Sequence, residues 1–380
     1  MDPSVKANLA KYSHDGRLFL ALGLANWTIF LDHIPDNAVG LLTIRNFGFS
    51  GAASLFVFVA GYGFAIIYGK MMVERGFVVA ATRAFRTVWR LYAAYVVLFA
   101  LYIDAIAYVA SRSTAPEILW QYNVTGILDH PLRILVRGLM LQSTPMNMEI
   151  LQLFIPLTAL FPLALWGLAR RPNVTLAASI AIYVAAGIFG WTPASFPDGE
   201  WRFNPFRWQM LFFLGAWFAV TGAPGPSIHK QRWLRVAALA YVVLAMAVTL
   251  AKRSPEFSAF LPVFLQDPFD ASDRENLALY RVLHFLALAF LFTHFVPKDW
   301  PGLHSWLISP IVKCGEEWLA VFCVGVFLSF AGHLILITGP NLLVMHFLVS
   351  LGGLAVMTAV AYYVSWSKRQ DHPWEARHHT

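Results

Sequence analysis

The residues best suited to chemistry are an acid–imidazole pair, Asp32-His33, at the end of the first long apolar run and just ahead of Pro35. Histidine titrates near neutral pH and is the commonest general base. Ionisable groups set in or beside lipid are costly and tend to mark function. An imidazole at this place is therefore suited to taking a proton from a hydroxyl. Neighbouring positions on an ideal helix point about 100° apart. Asp32 would orient His33 only if the turn before Pro35 distorts, and a carboxylate from another segment, such as Glu149, is an equal candidate.

Further polar groups fall near the ends of other apolar runs. They are Asp104, Glu149, Asn204, Arg207, Gln209, Arg281, His284, His333 and His346. Convergent polar groups in an apolar bundle are the usual signature of a binding site. The stretch 201–209, Trp-Arg-Phe-Asn-Pro-Phe-Arg-Trp-Gln, reads either as an interfacial aromatic belt or as a sugar-binding surface. In the second reading Trp201, Asn204, Trp208, Gln209, Arg281 and His284 contact the acceptor. A separate basic group, Arg83, Arg86 and Arg90, has spacing i, i+3, i+7, with Lys70 and Arg75 close in sequence. Arginine forks suit phosphates, so this face would hold a phosphate-rich donor such as a coenzyme A thioester; it also serves topology and anionic lipid contact. Sequence spacing offers no set of convergent metal ligands, and no metal is expected.

The elements that position these groups are built for lipid. The 380-residue chain is 58% hydrophobic and 13% charged, with mean hydropathy +0.59, where soluble domains carry about 25% charged residues. Its apolar runs, about 20 residues long, read as spanning helices rather than the short alternating segments of a β-barrel. We read about ten spans, at 17–34, 49–69, 84–110, 149–168, 173–190, 205–222, 233–251, 277–296, 316–338 and 341–366. Breakers divide them at Pro35, Arg170-Arg171-Pro172, the Gly222–Pro226 stretch and Gly339-Pro340. The expected fold is all-α: a polytopic helix bundle over 17–366, with segments 1–16 and 367–380 outside it. The polar start has no small-residue cleavage site, so the first helix is expected to stay.

Lys and Arg orient the bundle. Arg83, Arg86, Arg90, Arg170, Arg171, Arg232 and Arg235 lie on the same side as Lys6, Lys11 and Arg17, and the positive-inside rule puts both termini in the cytoplasm. The pair Asp32-His33 then faces the outer surface. A net charge of +7 could point to nucleic acid, but the basic residues lie between apolar runs rather than in a stripe, and the bilayer is the expected partner. Two outer segments are long. One, 111–148, carries an amphipathic stretch from Ile127 to Leu141; the other, 252–276, is acidic, with Asp267, Asp270, Asp273 and Glu275. Cys314 and Cys323 read as free buried thiols.

Several stretches resemble the OpgC family, the membrane succinyltransferases of osmoregulated periplasmic glucans, which is similar to the wider acyltransferase family three. They are IFLDHIPDN (29–37), TIRNFGFSGAASLFVFVAGYGFAIIYG (43–69), FNPFRWQMLFFLG (203–215), RVLHFLALAF (281–290), CVGVFLSFAGH (323–333) and MTAVAYYVSWSKRQD (357–371). The resemblance implies ten spans in the inner membrane and transfer of an acyl group, succinyl above all, from a cytoplasmic acyl-coenzyme A to an outside glycan. It implies that His33 is the base, and Arg90 stands in a segment similar to that family's Arg-Leu-Tyr-Pro. One position departs. The family carries an Arg just ahead of the glycine that is Gly23 here, and this chain has Leu22. Eleven residues of helix cover about 16 Å, so that Arg would lie on the donor side of His33. Ala60 likewise stands where the family has Ser. Two other readings are a glycan or acyl transporter, and a silent relative that binds glycan without transferring to it.

Overall fold

The computed structural model describes residues 5, 7–9, 15–112, 117–196, 199–222, 231–253, 255–262, 271–340 and 342–377. Asp267 and Asp270 of the acidic outer segment lie outside them, as do Lys6 and Lys11. Each of the ten apolar runs folds as a helix: α1 Gly16–Asp32, α2 Ala52–Arg75, α3 Phe77–Arg112, then α4 Pro131–Leu139 between runs, α5 Glu149–Arg170, α6 Pro172–Phe189, α7 Pro205–Thr221, α8 Arg232–Ala251, α9 Leu279–Phe295, α10 Ser309–Glu316 between runs, α11 Trp318–Thr338 and α12 Leu343–Arg377. Among the described residues the sole β feature is a bridge between Ala194 and Glu200.

Among the described residues, seven helices are long and apolar enough to cross a membrane: α2, α3, α5, α6, α8, α11 and α12. This is a multi-pass membrane protein. The other three, α1, α7 and α9, have 17 residues each, which at 1.5 Å per residue cover about 25 Å against a hydrocarbon core of about 30 Å. Polar caps set that length. Asp15 accepts from Arg17 N at the start of α1, Asn204 accepts from Phe206 N at the start of α7, and Gly222, at φ +68°, closes α7.

The chain forms two compact units. The first comprises residues 1–13, 60–225 and 267–279; the second comprises 14–59, 226–266 and 280–380. In the first, α5 is buried along most of its length, and its Phe161 packs edge-on against Phe64 and Phe212. Gly61 lets α2 approach α7 so closely that a Cβ there would strike the Phe212 carbonyl. The amphipathic stretch of the outer segment is α4, which buries Ile134 and Gly138 and exposes Arg133 and Arg137. Tyr92 and Tyr95 of α3 donate to its Leu139 and Gly138 carbonyls at 3.0 and 3.2 Å.

In the second unit α1 is enclosed by α10, α11 and α12. Its tightest contact is a crossing with α10, where a Cβ on Gly23 would strike the Ile311 carbonyl and one on Gly315 would strike the Phe19 carbonyl. Small residues at such a crossing let backbones meet where lipid offers no hydrophobic drive. Phe30 and Ile34 continue the contact into a core with Val321, Met357 and Ala361. Cys314, in that core, is a free thiol, as is the half-buried Cys323.

The crossing makes a prediction. Gly23→Ala should destabilise the protein by about 1–3 kcal/mol or more, because overpacked backbone must shift. Gly63, whose added Cβ would meet nothing within 4 Å, is the control: Gly63→Ala should be stabilising by about 0.5–1 kcal/mol. Thermal unfolding in detergent micelles reads both.

Candidate functional site

The pair Asp32-His33 ends α1. His33 caps it at φ −89°, ψ −4°, its N–H bonding to the Ile29 and Phe30 carbonyls. Pro35 cannot continue the helix. Asp36 turns the chain at φ +56°, and Asn37 accepts from Val39 N to cap a 3-10 turn, Ala38–Leu42. A second 3-10 turn, Ile44–Asn46, follows. Residues 34–51 thus form a loop of short turns with many backbone groups outside regular ladders.

Side chains from three helices hold that loop. Thr43 Oγ1 donates to Asp32 Oδ1 at 2.5 Å, and Arg45 Nε lies 3.4 Å from the same oxygen. His346 Nδ1 on α12 accepts from Ala38 N at 3.2 Å, and Asn37 Nδ2 donates to Ser350 Oγ at 3.0 Å. His284 Nδ1 on α9 accepts from Ser50 N at 3.2 Å. The Asp32 carboxylate is therefore a loop anchor as well as the neighbour of His33, which is half-buried.

His284, expected among the acceptor contacts, is 1% exposed. Phe49 and Tyr241 pack on its ring with centroids 5.6 and 6.1 Å away, and it lies so near Gly48 that a Cβ there would clash with it. Because Nδ1 accepts a backbone N–H, a neutral His284 carries its proton on Nε2. Arg281, one turn earlier, is half-buried with its guanidinium 5.8 Å from the Tyr280 ring.

His333 is buried in the second unit, and Asp104, Glu149, Trp201, Asn204, Arg207, Trp208 and Gln209 belong to the first. Glu149 opens α5, where a carboxylate complements the helix dipole; it is buried, and Arg202 Nε lies 3.9 Å away. Asn204 donates to the Trp191 carbonyl and to Asn276 Oδ1 at 2.7 and 3.0 Å. Trp208 Nε1 donates to the Glu275 carbonyl at 3.0 Å. Gln209 accepts from Ser179 Oγ at 2.7 Å and donates to the Ser179 carbonyl at 2.8 Å. These three bind α7 to its neighbours. Trp201 is half-buried and Asp104 exposed.

On the opposite reach of the first unit, Arg83, Arg86 and Arg90 are all exposed along α3. Tyr68 of α2 donates to Thr87 Oγ1 at 2.7 Å, within the electrostatic range of Arg83 and Arg90. Sequence reasoning missed Tyr68 and Thr87, although Thr87 stands at i+4 from Arg83 on the same face. It also missed Thr43 and Ser50, for which loop sequence carries no periodic signal. Arg17 is held by Asp15 at 2.6 Å and by the Val296 carbonyl at 3.0 Å.

Two substitutions test the loop anchors. Thr43→Val removes a bond to a charged group, worth about 1.5–3 kcal/mol, and should raise amide hydrogen exchange across 38–51. His284→Ala leaves the buried Ser50 N–H without its acceptor, at about 1–3 kcal/mol, and should lower the melting temperature in micelles.

The chain matches the OpgC protein family over residues 14–369. No curated protein and no solved structure matches it. The matched span takes in the capped end of α1, the anchored loop and the arginine face of α3, and the chain belongs to the OpgC family.

Proposed function

We propose that this protein is an inner-membrane O-acyltransferase that moves a succinyl group from cytoplasmic succinyl-coenzyme A to a hydroxyl of a periplasmic glucan. The observation that carries the reading is the family match from residue 14 to residue 369, since that family implies acyltransferase activity. The reading takes all ten apolar helices as spans, with both termini in the cytoplasm. An even number of crossings returns the chain to its starting side, and the basic inner segments favour that side.

In this reading His33 takes the proton of a sugar hydroxyl as its oxygen attacks the thioester carbonyl. The carbon–sulfur bond then breaks, coenzyme A leaves as its thiolate, and the proton on His33 passes back to it. Asp32, fixed by Thr43 and Arg45, supplies a negative charge beside the imidazolium; Glu149 is the other candidate for that role. Arg83, Arg86 and Arg90, with Lys70 and Arg75 nearby, hold the donor's phosphates. Trp201 and Arg281, both half-buried, offer the acceptor an aromatic face and a guanidinium. Asn204, Trp208 and Gln209 of the first unit and His284 of the second are the other acceptor contacts of this reading.

One observation favours a second reading, a relative that binds glucan without acylating it. Leu22 stands where the family carries Arg, and Arg17 is tied to Asp15 and Val296. Titration with succinyl-coenzyme A separates the two, because the transferase binds the thioester and the silent relative does not.

The transferase reading predicts that His33→Ala lowers glucan succinylation by about 10²–10⁴-fold, read by mass spectrometry of periplasmic glucans from cells expressing equal amounts of each protein. Full-rate modification by His33→Ala would overturn the base assignment. Arg83→Gln combined with Arg90→Gln should raise the donor KM about tenfold or more with kcat little changed, because charge-assisted bonds formed equally in ground and transition states act on binding alone.

A further inference from the structure

Helix α4 presents three faces. Ile134 and Gly138 are buried, and Gly138 packs so tightly on α3 that a Cβ there would strike the Phe99 ring. Leu132, Val136 and Leu139, at i, i+4 and i+7, are exposed, and Met140 just past the helix joins them. At about 100° per residue, this apolar row stands roughly 150° around the axis from the buried pair. Arg133 and Arg137, both exposed, lie between the two faces. A helix that lies in a membrane interface carries this pattern, with apolar residues toward the acyl chains and basic ones at headgroup level.

The helix also lies at the head of a spanning element. Gln152, one turn into α5, donates to the Leu141 carbonyl at 2.8 Å, and α5 is long and apolar enough to cross a membrane. The end of α4 is therefore level with the start of that crossing.

Both guanidiniums gather on one ring. Arg133 Cζ and Arg137 Cζ stand 5.1 and 5.7 Å from the centroid of Phe196, within the range of a cation–π contact. Phe196 is fixed by its N–H to the Gln142 carbonyl at 2.6 Å, and Arg137 Nη1 donates to Gln142 Oε1 at 2.5 Å. Two like charges one turn apart repel, and among the described residues neither makes an ion pair. With Asp129, Leu132 and Val136 they line an open groove of about 570 Å³. Asp129 offsets one of the two positive charges, and the groove keeps an excess of the other. Arginine forks match phosphate oxygens. Positions one turn apart are about 5–6 Å from each other at Cβ, so a single phosphate can accept from both.

We propose that this groove binds the phosphate of a phospholipid headgroup, whose acyl chains lie along Leu132, Val136 and Leu139. The apolar row decides for a lipid over a free anion, because it borders the two arginines and a soluble anion would leave it in water. The site lies within the first unit and uses neither His33 nor the arginines of α3, so it stands or falls apart from the transferase reading.

Native mass spectrometry of the full-length protein in micelles, titrated with short-chain phosphatidylglycerol, tests it by counting bound lipids. Arg133→Gln combined with Arg137→Gln should hold one lipid fewer than the wild type at the same concentration. Arg133→Gln alone, at an exposed side chain, should weaken that lipid severalfold and keeps the test open if the double variant fails to fold. Leu132→Asn combined with Val136→Asn should weaken it too, with both arginines in place. An equal lipid count and affinity in the wild type and the arginine variants overturns the proposal. A neutral diacylglycerol of the same chain length that fills the site as tightly overturns the phosphate contact. Inorganic phosphate that displaces the lipid at equal concentration overturns the lipid as occupant.

Discussion

An ionised carboxylate at the end of a lipid-bound helix has to be paired, because leaving it alone beside hydrocarbon costs several kcal/mol. Asp32 is paired by Thr43 and Arg45, and both partners come from the loop that the helix end itself launches. The pairing therefore fixes the loop to the helix. Once that loop is fixed, its free backbone N–H groups must also be met, and Ala38 and Ser50 find His346 and His284. The organisation of this end of the second unit follows from one half-buried charge and the backbone groups it brings with it.

The crossing of α1 and α10 imposes the same discipline at the other end of α1. Gly23 and Gly315 bring backbone against backbone, which settles the depth at which α1 sits and therefore the height of His33. Leu22, next to that crossing, is half-buried. The family's Arg at this place would set a charge beside a dry helix contact, where it would need a partner as closely as Asp32 does. Leu22 carries no such requirement and keeps the neighbourhood of the crossing apolar.

Helices were legible because lipid leaves the backbone few options: a run of about 20 apolar residues must bond to itself. All ten runs read from the sequence are helices, and the amphipathic stretch in the outer segment is one too. Length was less legible. Among the described residues seven helices reach a full crossing by length and composition, and the shortening of α1 and α7 comes from caps such as Asp15, Asn204 and Gly222 that composition ignores. The site was legible in part. Asp32 and His33 stood out as ionisable groups in an apolar setting, but the Asp32 partners Thr43 and Arg45 lie in a loop without period.

Histidine was the residue type that sequence most tempted one to treat alike, and the bonds separate its members. His284 and His346 each use Nδ1 to accept a backbone N–H. A ring so bonded holds its proton on Nε2 when neutral, and moving Nδ1 to a donor state would break a backbone bond that the fold needs. Such a histidine is a poor proton acceptor at the accepting nitrogen and a rigid support everywhere else. His33 differs in kind. Its backbone N–H does the capping at the end of α1, and the residue lines a small cavity between α1, α11 and α12. The bonds therefore mark His284 and His346 as supports of the loop, while His33 gives its backbone to the end of α1.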